Sequence, residues 1–354
     1  MKRTIYPVGH GAFYVELFEN NHAIIYDCGS KSKSVIDSII KSMFQGLIIN
    51  CLFISHFHSD HTNGVIELIN SISSGSIKKV IIPKINLYIT AFNLIHLATN
   101  NPLASYDQLR DIIELTENPI NFFNERGIEN IIQVTNETSN DEEPIDIDSL
   151  NSNRNITSNT TLSYKNKWFY IPLNHEIIPI IDLQSILSIL GYSMDLFINV
   201  DNMKWTEIKN LVSYLLRYKY YNSDMNHNCM ALFSGSLSSK RNTRFAGSSS
   251  CTHQDGALYI GDWPTRNPKF LKEIQDFSNK YIGNLGLVQI SHHGSCDDYH
   301  PAVSFYNQFD NKNINTFVCS KKYGNFPCPC VHKLKFLQHV TDNPQSQLDF
   351  EILI

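Results

Sequence analysis

The chain has 354 residues, 42% of them hydrophobic, and a formal net charge of −5, so it can bury a substantial core without staples. A pI of about 6.3 excludes a global basic field, so a polyanion would have to be met by a local basic patch or by bound metal. Met1–His10 lacks the apolar core of a signal peptide and no run of about twenty apolar residues follows, so no helical membrane span is expected and the expected location is the cytoplasm.

The predicted elements run in strand–helix alternation at first. Strands are expected over Ala12–Phe18 and Ala23–Tyr26 around the turn Glu19-Asn20-Asn21, the second closing in Asp27-Cys28-Gly29. Val35, Ile36, Ile39, Ile40 and Met43 have helical spacing. The apolar, β-branched run Leu47–Ile54 reads as a buried strand. It empties into Ser55-His56-Phe57-His58-Ser59-Asp60-His61, three imidazoles and a carboxylate of the kind that Zn²⁺ prefers. His56 and His58 can point the same way in extended chain, and Asp60 and His61 follow as the chain turns, so one cluster suggests two metal positions. A helix over 65–72 and a strand over 80–83 continue an α/β layered pattern.

The middle reads differently. Residues 84–135 are expected to be mostly helical, with a short strand at 131–134. The polar, repetitive stretch 136–166 reads as a mobile loop or insertion, and its acidic run as a solvated face. A strand at 168–171 and an amphipathic helix over 205–220 follow. In the last third, strands at 229–233 and 257–260 flank a Ser/Gly-rich loop carrying Lys240, Arg241 and Arg244. Then come a helix at 270–281 and strands at 285–290 and 316–319. A helix at 331–340 and a closing strand at 348–354 complete the chain. The 8 cysteines are scattered, only Cys328 and Cys330 being close, and read as reduced thiols.

Two later strand ends offer further ligands. Gly261 permits a sharp exit that lets Asp262 reach over the sheet edge, although Asp262 reads equally as a helix cap. Ser291-His292-His293-Gly294-Ser295 follows another strand and reads as ligands or as a turn. Taken in order, Asp27-Cys28-Gly29, His56-x-His58-x-Asp60-His61, Gly261-Asp262 and His292-His293-Gly294-Ser295 resemble the metallo-β-lactamase superfamily. The likeness is to the metallohydrolase domain of the DNA-uptake protein ComEC and its soluble relatives. It covers roughly 5–65 and 226–340 and also rests on Asn226–Leu232, Tyr323-Gly324 and Pro327-x-Pro329. Where that family carries His-Pro-His-Pro, this chain has Phe326-Pro327-Cys328-Pro329; Cys328 either substitutes for a lost histidine or packs.

The resemblance implies an α/β fold, an αββα sandwich forming a single domain over 1–354, with the mostly helical, family-unmatched insertion 84–225 (polar loop 136–166 included) inside it. It implies a dinuclear hydrolase acting on phosphodiesters through a metal-bridged hydroxide. The cofactors would be two divalent ions, zinc first and manganese second. His56 and His58, with His227 or an open position, would hold one metal; His253 is a weaker candidate. Asp60, His61 and His292 would hold the other, Asp262 would bridge, Asp27 would orient an imidazole, and His293 would touch substrate. Asp60, Asp262 and His293 are the expected catalytic groups. Lys240, Arg241, Arg244, Ser295 and Tyr323 are candidate substrate contacts, the basic three read equally as solubilising and Tyr323 as packing. The expected partner is nucleic acid or another phosphodiester. Two other readings stay open: a carbonyl hydrolase acting on a lactone or ester, and an effector in a multi-gene bacterial defence system that meets a protein partner through 84–225.

Overall fold

Two β-sheets lie face to face, each backed by helices, in the computed structural model of the chain. It describes residues 1–352 apart from 74, 139–142, 152–154, 177–182, 218–227, 237–242, 246–250, 253 and 322–325. The ten-stranded sheet runs Cys251–Thr252, Thr243–Phe245, Leu348–Ile352, Lys2–Ile5, Gly11–Leu17, His22–Ser30, Ile48–Phe53, Val80–Pro83, Ile131–Thr138, Ile156–Ser158. The eight-stranded sheet runs Leu337–Val340, Asn315–Cys319, Leu285–Gln289, Gly256–Tyr259, Asn228–Gly235, Trp168–Glu176, Leu162–Tyr164, Ile145–Asp146.

Period-two alternation assigns each strand's faces. Ile24 and Tyr26 enter the core between the sheets, together with Phe53, Tyr259 and Phe317. Ala23 and Ile25 face outward and meet Ile36 and Ile40 of the helix Lys33–Met43, Val65 and Leu68 of Val65–Ser71, and Phe122 and Phe123 of Pro119–Glu125. The eight-stranded sheet is covered on its outer side by Pro268–Tyr281 and Cys296–Asn311, through Phe270, Ile274, Phe305 and Phe309. The result is the four-layer αββα sandwich.

The middle is less purely helical than its composition suggests. Helices Leu87–Asn100, Leu183–Ile189 and Asn202–Arg217 share their own cluster around Phe92, Ile95, Leu187 and Trp205, yet the same stretch lends strands to both sheets. Within 136–166, short strands at Ile145–Asp146, Ile156–Ser158 and Leu162–Tyr164 bury Ile156, Leu162 and Tyr164. These few apolar residues suffice because each strand adds to an existing sheet edge. Two further differences concern the C-terminal third. The expected helix at 331–340 is a single 3₁₀ turn, Val331–Lys333, followed by the strand Leu337–Val340. A sixteen-residue helix, Cys296–Asn311, stands where no element was expected. Among the described residues no helix is long and apolar enough to cross a membrane.

A buried polar knot joins the sheets. Arg3 donates to Glu16 at 2.8 Å and to the carbonyls of Asp255 and Ser234 at 2.8 and 3.2 Å. The Glu16 carboxylate also accepts from Trp168 Nε1 (3.1 Å), Tyr170 Oη (2.6 Å) and Tyr259 Oη (3.1 Å) on the facing sheet. Breaking such a pair from one side leaves an uncompensated buried charge. Glu16→Ala should therefore destabilise the chain by about 3–5 kcal/mol in denaturant unfolding, and the double variant Arg3→Met/Glu16→Leu by much less. Equal losses in the two would show that the knot's charge is not what matters.

Candidate metal centre

The centre forms where parallel strands of both sheets end. His22–Ser30, Ile48–Phe53 and Val80–Pro83 are parallel in one sheet, and Gly256–Tyr259, Leu285–Gln289 and Asn315–Cys319 in the other. Carboxyl ends of such strands open into a crevice, and chain leaving them can be aimed across it. After Ile48–Phe53 the chain runs through His56 and His58 into the short helix Ser59–Thr62 bearing Asp60 and His61. Gly29 allows this helix to settle on its neighbour strand: a Cβ there would lie 2.4 Å from backbone atoms of His61. Gly261 has φ +60°, and its amide and that of Ile260 donate to the Gln289 side chain at 3.0 and 2.9 Å, which fixes the exit that turns Asp262 inward. The His292 amide in turn donates to the Gly261 carbonyl at 3.0 Å.

Asp262 is the meeting point. Its carboxylate oxygens lie 3.2 Å from His61 Nε2, 3.5 Å from His293 Nε2, 3.7 Å from His56 Nε2 and 4.0 Å from His292 Nε2. Asp60 lies 3.4 Å from His293 Nε2 and 3.7 Å from His10 Nε2. The donor atoms gather into two groups: His56, His61 and Asp262, and His10, Asp60 and His293.

Four of the inward imidazoles are held by their other nitrogen. His61 Nδ1 lies 2.8 Å from Asp27, His56 Nδ1 2.9 Å from Ser55 Oγ, His292 Nδ1 2.6 Å from Asp298 and His293 Nδ1 2.9 Å from the Cys319 carbonyl. That is the support metal-binding imidazoles receive. Asp27, His292 and His293 adopt left-handed backbone at φ 56°, 46° and 52°, a conformation that costs energy outside glycine and gathers at functional sites. Nε2 of His56, His61 and His293 is buried and makes no hydrogen bond among the described residues. Buried polar nitrogens are normally satisfied, so these three atoms, each 3.2–3.7 Å from the Asp262 carboxylate, fit a pair of divalent ions.

The charges agree. Burial opposes protonation of His61, but the Asp262 and Asp27 carboxylates outweigh it and hold the imidazole well above its usual range. Burial likewise opposes His292, which Asp262 and Asp298 lift to about 9. Asp262 is raised by burial and lowered more strongly by His61, His293 and His292, ending well below the carboxylate range. Burial followed by His61 drives His56 far down, and burial followed by His293 drives His10 down to about 2. Two carboxylates thus demand positive charge, while His56 and His10 offer neutral lone pairs.

Among the expected site residues, His56, Asp60, His61, Asp262, His292 and His293 come together, with Asp27 behind His61. His58 is in the wall: its ring stacks flat on His96 at 3.6 Å, 4.5 Å from the His56 ring. Ser295 is buried immediately before the helix Cys296–Asn311. Arg244 lies on Thr243–Phe245 near the edge of the ten-stranded sheet. His227, Lys240, Arg241, His253 and Tyr323 lie outside the described residues. Sequence reasoning missed His10, Ser55, His96 and Asp298. His10 had a signal, a histidine between two glycines, and Asp298 stands six residues after His292.

A cleft of about 870 Å³ opens above the centre, lined by His10, Lys31, His58, Asp60, Asp262 and His292 on one side. His96, Asn100, Gln108 and Arg110 from the middle helices line the other.

No family model matches the chain, and no curated protein does. Among solved structures it is similar to a long form RNase Z from yeast, at a TM-score of 0.40 and 9% identity, covering 91% of this chain and 37% of that one. The chain thus spans little more than a third of that protein's length, and so loose a likeness carries no residue role or activity across.

If the outer acceptors hold the imidazoles for metal, Asp27→Asn and Asp298→Asn should each weaken Zn²⁺ binding by about 10–100-fold in competition with a chromophoric chelator. Unchanged affinity in both would show that these carboxylates serve only the fold.

Proposed function

We propose that the chain is a two-metal hydrolase that cleaves phosphodiesters, with nucleic acid as the substrate class. The observation that carries this is two donor groups meeting at Asp262, His56 and His61 in one and His293 in the other, with the buried Nε2 atoms of all three making no hydrogen bond among the described residues. His56, His61 and Asp262 would hold one ion, and His10, Asp60 and His293 the other, with Asp262 within reach of both groups. Held there, two divalent ions would lower the pKa of water toward neutrality and offset charge building on phosphoryl oxygens.

The protein's own groups do the rest. Asp27, Ser55, Asp298 and the Cys319 carbonyl keep the imidazoles from rotating, so the donor set needs little reorganisation as charge develops. Lys31 sits at the cleft mouth with its ammonium 5.9 Å from the Phe326 ring centre. Among the described residues no carboxylate is within ion-pair distance of it, whereas Lys33, Arg110 and Lys321 are paired with Asp37, Asp107 and Asp342. Lys31 is therefore the cation available to a phosphate, and Phe326 a surface on which a base can stack. Charged and polar groups on both sides of the cleft, Lys31, Asp60, Gln108 and Arg110 among them, support a phosphodiester over a lactone or ester.

Loaded with Zn²⁺ or Mn²⁺, the chain should hydrolyse a chromogenic phosphodiester and at least one of single-stranded DNA, duplex DNA and RNA. Asp262→Ala should lower kcat by about 10²-fold or more, while Lys31→Ala should chiefly raise KM, and less so as salt rises. Failure to cleave all four substrates with either metal would overturn the proposal.

A further inference from the structure

A second cluster of metal-binding side chains lies beside the first and shares no residue with it. Cys296 and His300 stand one helical turn apart at the start of Cys296–Asn311, on the same face. Across from them runs Cys328-Pro329-Cys330. The donor atoms of Cys296, His300 and Cys328 all lie within 4.8 Å of one another, and His300 Nε2 is 3.6 Å from Cys328 Sγ. Cys330, two residues on from Cys328, stands beside this group as a half-buried thiol. Tetrahedral Zn²⁺ with Zn–S bonds of about 2.3 Å sets its ligands about 3.8 Å apart, so these separations need little adjustment to close on an ion. No disulfide joins Cys296, Cys328 or Cys330.

We propose that Cys296, His300 and Cys328 form the core of a Cys₃His structural zinc site, which Cys330 completes by turning its side chain toward them. Three thiolates and an imidazole select a soft or borderline ion over magnesium or calcium. Four protein donors leave no open position, which marks a structural rather than a catalytic ion. Its placement gives it a task. Cys296 follows the turn His292–Gly294 by two residues, and the Cys328 amide donates to the Gly294 carbonyl at 2.7 Å. The Phe326 ring, two residues before Cys328, lies 5.0 Å from the His10 ring and 6.0 Å from that of His292. An ion here would staple the histidine turn to the loop that walls the cleft. The assignment does not depend on the proposed hydrolase activity.

The test is titration of the full, reduced, metal-free chain with Co²⁺ under anaerobic conditions. Thiolate ligation gives a near-ultraviolet charge-transfer band, which the nitrogen and oxygen donors of the strand-end centre cannot produce. The band should saturate at one ion per chain, bleach on adding Zn²⁺, lose intensity in Cys328→Ser and keep it in Asp262→Ala. His300 is exposed, so His300→Ala should fold normally and keep the band while binding the ion at least about tenfold more weakly. Absence of the band in the reduced chain would overturn the proposal. So would a band of undiminished intensity in both Cys296→Ser and Cys328→Ser, or unchanged affinity in His300→Ala.

Discussion

A carboxylate buried among four imidazoles governs this structure. Asp262 is almost wholly shielded from water, and an isolated ionised carboxylate in that environment would neutralise rather than persist. It stays ionised because His61, His293 and His292 surround it. That arrangement obliges three strand ends to meet within a few ångströms. The close approaches at Gly29 and Gly261, the Gln289 side chain that accepts from two successive amides, and the left-handed turn at His292 and His293 are the local means by which the backbone complies.

The centre straddles the sheets, so it depends on how they are docked. His56 and His61 leave the ten-stranded sheet, while Asp262, His292 and His293 leave the eight-stranded one. Apolar packing alone tolerates small slips between two faces. The polar contacts do not: Tyr26 donates to the Met230 carbonyl at 2.6 Å, the Met230 amide to the Ser55 carbonyl at 2.8 Å, and Glu16 gathers donors from three strands opposite. A slip of even one ångström would leave several of these groups buried and unpaired. The polar knots therefore set the register that brings two halves of one site together.

Much of this was legible in the sequence, for physical reasons. A short apolar run such as Ile48–Phe53 reads as a buried strand, and a polar cluster straight after a strand sits at a sheet end; hence His56, Asp60 and His61. Asp262 and His292-His293 followed by the same logic. The helix Cys296–Asn311 is masked in the sequence because Gly294 and Ser295 precede it and Pro301 interrupts it, although Tyr299, Ala302, Phe305, Tyr306 and Phe309 carry helical spacing. The strands inside 136–166 were hidden because each is two or three residues long and gains its stability from the sheet it joins. His10 and Asp298 escaped because their roles exist only in three dimensions.

The middle of the chain is where local pattern and tertiary role diverge most. Its strands extend both sheets, but Leu87–Asn100 and Tyr106–Glu117 also supply a wall of the cleft through His96, Asn100, Gln108 and Arg110. The flat stack of His96 on His58 couples that wall to the histidine run itself. Chemistry thus resides on strand ends that tolerate little change, and the wall facing them is built from a helical cluster with a core of its own. A helix surface can exchange side chains without disturbing the sheets beneath. On the proposed reading, selectivity would fall to these helices and cleavage to the sandwich.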